Sequence, residues 1–259
     1  MAVVVRGDDR DDVWLFDLAH NAWNRLTSEG NSGFPSWTSD GTRVAYNSDR
    51  QGSIDVDWKR ADGSGAAESL VRSGQSTRAF PFSWSPQGLL AFVSVRPAQH
   101  IWVVRPGSAA TPFFETQFVE GAPMFSADGR AVAYVSNETG RNEIYVRPFP
   151  GPGEQLTVST EGGNEPFWAS NGRVLFYRNG DSMMAVDVTL GPTLKAGIPR
   201  RLFEKHYETS LALYPNYSAT KDGQRFLMIK RIDQQEESPT QITVAINWFD
   251  ELRRATAAK

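Results

Sequence analysis

One internal repeat constrains this chain more than any other feature. Five segments share a short polar stretch that ends in Gly and runs into a β-rich stretch: Phe34-PSWTSDGTRVAYNSD, Phe80-PFSWSPQGLLAFVSV, Ala122-PMFSADGRAVAYVSN, Glu165-PFWASNGRVLFYRNG and Tyr214-PNYSATKDGQRFLMIK. Their turn glycines, Gly41, Gly88, Gly129, Gly172 and Gly223, stand 47, 41, 43 and 51 residues apart. A unit recurring at about 40–45 residues buries its apolar faces against the next copy, as a four-stranded blade does.

Each unit makes sense as such a blade. The x-P-x-W stretch reads as a first strand with Pro at its start, where a missing donor is tolerated. The SDG, SADG or SNG that follows is a tight turn, with Gly at φ > 0 and Asp or Asn bonding local backbone. RVAYNS, LLAFVS, AVAYVS, RVLFYR and RFLMIK are second strands, apolar on both faces as packing between neighbours requires. SIDVDWKR, HIWVVRP, EIYVRPF and MMAVDVT alternate as third strands, and ESLVRS and EQLTVS are weaker fourth strands. Trp37, Trp84, Phe125 and Trp168 recur at blade spacing, which predicts packing between blades rather than a sugar platform.

The predicted fold is therefore all-β: one β-propeller domain over residues 1–259, with six four-stranded blades, or five with extra strands as the alternative. Residues 2–27 supply second, third and fourth strands without a first, so the first blade reads as cut within a longer protein. The segment 203–213 is the longest connection and is predicted to be a loop or short helix. Residues 249–259 read as a terminal helix or tail.

Composition narrows the function. Net charge is −3, so there is no electrostatic footprint for nucleic acid. With no Cys, disulfides and thiolate metal sites are excluded. No segment reaches the ~20 apolar residues of a membrane helix, and the N-terminus lacks a signal-peptide pattern. As written the chain would stay in the cytoplasm; as a receptor fragment it would face the periplasm.

The segments PSWTSDGTRVAYNSDRQGSIDV and APMFSADGRAVAYVSNETGRNEIYVRPFPGPG resemble TolB-type, WD-like propeller repeats. The stretch from Ser136 to Met184, and the ending QRFLMIK…PTQITVAINWFDELRR, are similar to the C-terminal propeller of bacterial receptor-like serine/threonine kinases. The resemblance implies a sensory or interaction domain. No Gly-rich phosphate loop, HRD or DFG triplet occurs, so no kinase activity resides here. Gln87 replaces an acidic turn residue, and Phe125 and Ala219 stand where Trp is usual.

Candidate chemistry is thin. The three histidines, His20, His100 and His206, are scattered, with no metal-binding spacing, and no cofactor is expected. His206, in the long connection, is the best placed to act as a general base. Ser218 and Lys221 form one Ser-x-x-Lys, the nucleophile–base spacing of some hydrolases, here at a strand-to-turn step instead of a helix. The recurring Asp40, Asp128 and Asp222 read as turn residues.

Binding is expected where the loops before first strands and after second strands gather at the channel mouth. The residues this places there are Phe34, Asp49, Arg50, Arg78, Phe80, Glu120, Asn137, Glu165, Arg178, Tyr214 and Asn216. Their mix of charge and aromatics suits a protein or peptide partner. For Asp49 and Arg50 the competing expectation is a local structural pairing. The leading functional expectation is a non-catalytic binding or sensor module. The alternative is a hydrolase of small esters or glycosides using Ser218, Lys221 and His206 at the mouth.

Overall fold

The computed structural model describes residues 1–74, 77–95, 98–151, 153–191, 193–209, 214–220 and 222–230. These residues form strands and connections, with no helix among them. Lys221, the strand expected at ITVAINW and the expected helix at 249–259 lie outside the described residues.

Six antiparallel sheets follow one another along the chain. The first holds β1 (Ala2–Arg6), β2 (Asp11–Asp17) and β3 (Ala22–Arg25). The second holds β4 (Ser32–Trp37), β5 (Arg43–Ser48), β6 (Asp55–Arg60) and β7 (Glu68–Val71). In the third are β8 (Arg78–Trp84), β9 (Leu90–Val95), β10 (Gln99–Val104) and β11 (Thr111–Pro112). In the fourth are β12 (Glu120–Phe125), β13 (Ala131–Ser136), β14 (Glu143–Pro148) and β15 (Leu156–Thr157). The fifth contains β16 (Asn164–Trp168), β17 (Val174–Asn179), β18 (Ser182–Thr189), β19 (Lys195–Ala196) and β20 (Arg200–Glu204), and the last β21 (Tyr217–Ala219) and β22 (Phe226–Met228). The fifth sheet departs from the expected pattern: β18 is long, and its outer edge is shared by β19 and β20. So 203–204 complete a strand, and 205–209 continue without regular structure.

The sheets stack face to face. β4 packs on β1 and β2, β8 on β4 to β6, β12 on β8 to β10, and β16 on β12 to β14. The core consequently lies between sheets. One cluster joins Ala45 and Val56 to Leu90 and Phe92, another joins Ala91 and Val103 to Phe125 and Val132, and a third joins Phe176 and Met183 to Tyr217 and Phe226. Each fully buried Leu, Ile or Phe contributes on the order of 1.5–3 kcal/mol, and no single sheet could bury these side chains alone.

The recurring aromatics sit at these interfaces. Trp84 stacks on Trp58 of the preceding sheet, ring centres 5.9 Å apart and planes within 10°. Trp168 donates its indole N–H to the Met124 carbonyl of the preceding sheet at 3.0 Å. Trp37 is the exception, since it remains 37% exposed. The turns are as expected, with Gly41, Gly88, Gly129, Gly172 and Gly223 at φ between 65° and 76°. Thr38 donates its hydroxyl to Asp40 at 2.6 Å, and Asp40 accepts the Thr42 N–H at 3.0 Å.

One detail of the first strands differs from expectation. The prolines lie inside the strands, at irregularities in the ladder between Gly33 and Ser36, Pro81 and Ser83, Gly121 and Met124, and Asn164 and Phe167. Three residues that precede these prolines, Phe34, Ala122 and Glu165, have φ of 52°, 51° and 55°. A bulge accommodates the missing donor and bends each inner strand.

Candidate functional site

The loops before first strands and after second strands meet at one end of the stack. Asp49 holds the connection ahead of β4, accepting the Asn31 backbone N–H at 2.6 Å and its Nδ2 at 2.8 Å. Asn137 does the same two repeats further on, accepting the Val119 N–H at 2.9 Å. Asn179 donates Nδ2 to the Glu161 carbonyl at 3.2 Å. These polar groups tie the loops together, each within its own sheet's connections.

At the centre of this end stand aromatic side chains from distant repeats. Phe34 lies 4.9 Å from Phe80 and 5.4 Å from Tyr214, ring centre to ring centre, and Phe82 lies 5.5 Å from Tyr214. Tyr214 reaches across and donates its hydroxyl to the Pro35 carbonyl. Burial pushes its phenol well above the ordinary tyrosine value. Rings from the first strands of the second and third sheets and from Tyr214, three residues ahead of β21, thereby pack together.

Three of the six charged residues expected at the mouth are drawn inwards. Glu120 is 1% exposed and lies 2.7 Å from His100 Nδ1, with the Thr116 hydroxyl donating to its other oxygen. Glu165, equally buried, accepts the Asn216 backbone N–H at 3.1 Å, and its carbonyl accepts the Tyr217 hydroxyl at 2.8 Å. Arg178 is 2% exposed and donates to the carbonyls of Gly180, Tyr207 and Glu208 at 3.2, 3.4 and 3.5 Å. It therefore fixes the long connection after β20. Arg50 pairs with Asp57 at 2.5 Å and also donates to the Ala67 carbonyl, bracing its own sheet. Arg78 is exposed, and its guanidinium has no partner among the described residues.

Of the hydrolytic candidates, Ser218 and His206 share no hydrogen bond, and Lys221 lies outside the described residues. Ser218 is exposed on β21, where it pairs across to Leu227. His206 is exposed, its Nδ1 3.1 Å from Asp181, and no hydrogen bond joins it to Ser218. Among the described residues no three Asp, Glu, His or Cys side chains are placed to hold a metal ion, and no helix is long and apolar enough to cross a membrane.

A further recurring constellation escaped the sequence reading. At or near the start of a third strand a buried acid bonds a hydroxyl from the connection that leaves the sheet. Thr27 donates to Asp12 at 3.0 Å, Ser73 to Asp55 at 2.7 Å and Ser159 to Glu143 at 2.5 Å. The signal was present as an acid followed 15–18 residues later by Ser or Thr. Its role is structural, since it fastens the first, second and fourth sheets to the chain leading into the next.

Sheets of this kind, stacked in chain order with their first strands innermost, define a TolB-like β-propeller fold. The structure is similar to that of a putative TolB from Agrobacterium tumefaciens, with a TM-score of 0.69, 16% identity, and coverage of 88% of this chain and 84% of that one. It is also similar to TolB from Acinetobacter baumannii (TM-score 0.58, 18% identity, 77% of this chain), of which the match spans 51%. An oligogalacturonate lyase in complex with manganese matches at a TM-score of 0.63 and 13% identity over 88% of this chain and 66% of that one. No protein-family model matches the chain, and no curated protein matches it in sequence. At these identities the likeness is one of fold, shared by TolB proteins and by enzymes.

Proposed function

We propose that this propeller is a non-catalytic module that binds a protein or peptide at the loop end, around Phe34, Phe80 and Arg78. The observation that carries the reading is the aromatic cluster at this end. Rings of Phe34, Phe80, Phe82 and Tyr214 pack together across distant repeats. Half-buried Phe34, Phe80 and Tyr214, with the exposed Arg78, unpaired among the described residues, two residues from Phe80, suit docking of a side chain from a partner. Asp49, Asn137 and Asn216 shape the loops around the cluster. Glu120, Glu165 and Arg178 are buried and hold their own connections.

The test is selection of a phage-displayed random peptide library on the immobilised chain, followed by rescreening on Arg78→Glu. Enriched peptides that lose binding to the variant support the reading. No enrichment over bare support, or equal binding to Arg78→Glu, overturns it. The competing hydrolase reading draws on the enzymes that share the fold. It requires turnover of chromogenic esters or glycosides that disappears in Ser218→Ala or His206→Ala.

A further inference from the structure

The opposite end of the stack, where first and second strands turn, carries two abutting cavities. One, of about 510 Å³, is lined by Ser39 and Asp40 of the second sheet, Trp84 and Pro86 of the third, and Phe125 to Ala127 of the fourth. The other, of about 710 Å³, begins at the same Ala127 and runs between the Asp128–Arg130 turn and the Asn171–Arg173 turn to the β18 end at Asp187–Leu190. Both volumes lie in the range of ligand sites. The first is floored by aromatic rings, the second by charged turns.

The two turns that face each other in the larger cavity have the same backbone but different charge. In the fourth sheet Asp128 accepts the Arg130 N–H at 3.0 Å, and its second oxygen takes Arg130 Nε at 2.6 Å. In the fifth sheet Asn171 accepts the Arg173 N–H at 2.9 Å in the same way. Asn171 has no charge to offer, and the Arg173 guanidinium has no partner among the described residues. Asp187, on the far wall, is already paired with Arg200 at 3.0 Å. Within this cavity, then, the local carboxylates are matched by arginines and one arginine is left over.

We propose that this groove binds an extended acidic peptide segment, with a carboxylate of the ligand on Arg173 and an apolar side chain in the Trp84–Phe125 cavity. The ligand carboxylate does for Arg173 what Asp128 does for Arg130. Two abutting cavities of different character call for side chains spaced along one backbone, which is what a peptide provides. Charge-assisted bonds of this kind are stronger than neutral ones, and because Arg173 is exposed the contact is open to screening by salt.

The decisive variant is Asn171→Asp. It keeps the turn geometry and supplies Arg173 with an internal carboxylate, so it occupies the guanidinium without removing it. The probe is a set of dye-labelled hexapeptides, each with one Glu and two Leu at varied positions, titrated by fluorescence anisotropy and compared with Gln-for-Glu counterparts. The parent chain should prefer Glu peptides. Asn171→Asp and Arg173→Gln should each weaken them about tenfold or more, and the preference should fade with added salt. Equal affinity for Gln peptides, unchanged binding by Asn171→Asp, no binding by the parent chain, or binding of an acidic oligosaccharide in place of the peptides would overturn the proposal. Arg78→Glu, at the other end, should leave this binding intact, which separates the failure of this site from failure of the loop-end reading.

Discussion

The Tyr214 hydroxyl donates to the Pro35 carbonyl, joining residues 179 positions apart across the centre of the molecule. The ring that carries this hydroxyl also packs on Phe34 and Phe82, so one residue ahead of β21 touches the first strands of the second and third sheets. A contact of this length has a large closure entropy behind it and is formed only once the intervening sheets are stacked.

Removing the hydroxyl alone should therefore be measurable. Tyr214→Phe keeps the ring and leaves the Pro35 carbonyl without that donor, a loss of about 1–2 kcal/mol. Tyr214→Ala also empties the space between Phe34 and Phe82 and should cost about 3–5 kcal/mol. Urea unfolding monitored by tryptophan fluorescence checks both. Equal midpoints for the parent and Tyr214→Phe would show that the bond contributes nothing.

Tyrosine burial predicts the alkaline limit of the fold. The chain has 7 tyrosines. Burial, helped by nearby carboxylates, pushes Tyr145 and Tyr177 up to about 12, and Tyr46, Tyr134, Tyr214 and Tyr217 are also raised, chiefly by burial. An unfolded phenol ionises near about 10. With the folded value above the unfolded one, the native state holds more protons between the two. Stability is thus fully present below about pH 10 and falls as pH rises from there towards the folded values. Phenolate absorbance followed alongside circular dichroism should show most of the signal appearing together with loss of β-structure. Ionisation of most tyrosines in a chain still folded would refute this.

The acid–hydroxyl fastenings give a third expectation. Glu143 is 1% exposed and accepts the Ser159 hydroxyl, the Gly162 N–H at 2.9 Å and Arg141 Nε at 2.7 Å. Ser159→Ala removes one donor from a buried carboxylate and should destabilise by about 1–3 kcal/mol. Ser64 also donates to an acid, Asp62, at 2.6 Å, but in an exposed turn. Ser64→Ala should shift stability by less than about 0.5 kcal/mol. Comparable midpoint shifts for the two variants would mean that burial does not set the cost.

The turns, the strands and the order of sheets were legible because each rests on local chemistry. Gly41 or Gly223 must take φ > 0, and RVAYNS and AVAYVS must bury both faces. The grouping of Phe34, Phe80 and Tyr214 followed from equivalent positions in the repeat. Partners did not follow. Glu120 and Glu165 look like rim charges in sequence, yet His100 and the Asn216 N–H draw them inwards. Arg178 likewise bonds carbonyls of a connection whose path only the packed fifth sheet determines. The positive φ of Phe34, Ala122 and Glu165 was equally hidden, because a residue before Pro ordinarily prefers extended backbone and it is the bulge that overrides this. The turn-end groove escaped notice because it arises between sheets, from turns that each look complete alone.

Two turn glycines separate backbone strain from crowding. Gly88 and Gly129 have nearly the same conformation, φ of 76° and 73°. A methyl at Gly88 would meet nothing within 4 Å, whereas at Gly129 it would lie 2.3 Å from Gln87 Oε1 and 3.1 Å from Pro86 Cδ. Alanine at either site pays the left-handed cost of about 1–2 kcal/mol. Gly129→Ala must also displace Gln87, which donates to the Asp128 carbonyl at 3.2 Å, so its loss should exceed that of Gly88→Ala. The excess is borne by one exposed, flexible side chain. It should therefore vanish when Gly129→Ala is made in a Gln87→Ala background, with the strain cost remaining. Urea midpoints for the two single variants and the double variant provide the check. A persistent excess in the Gln87→Ala background would place the crowding on Pro86 and the backbone instead.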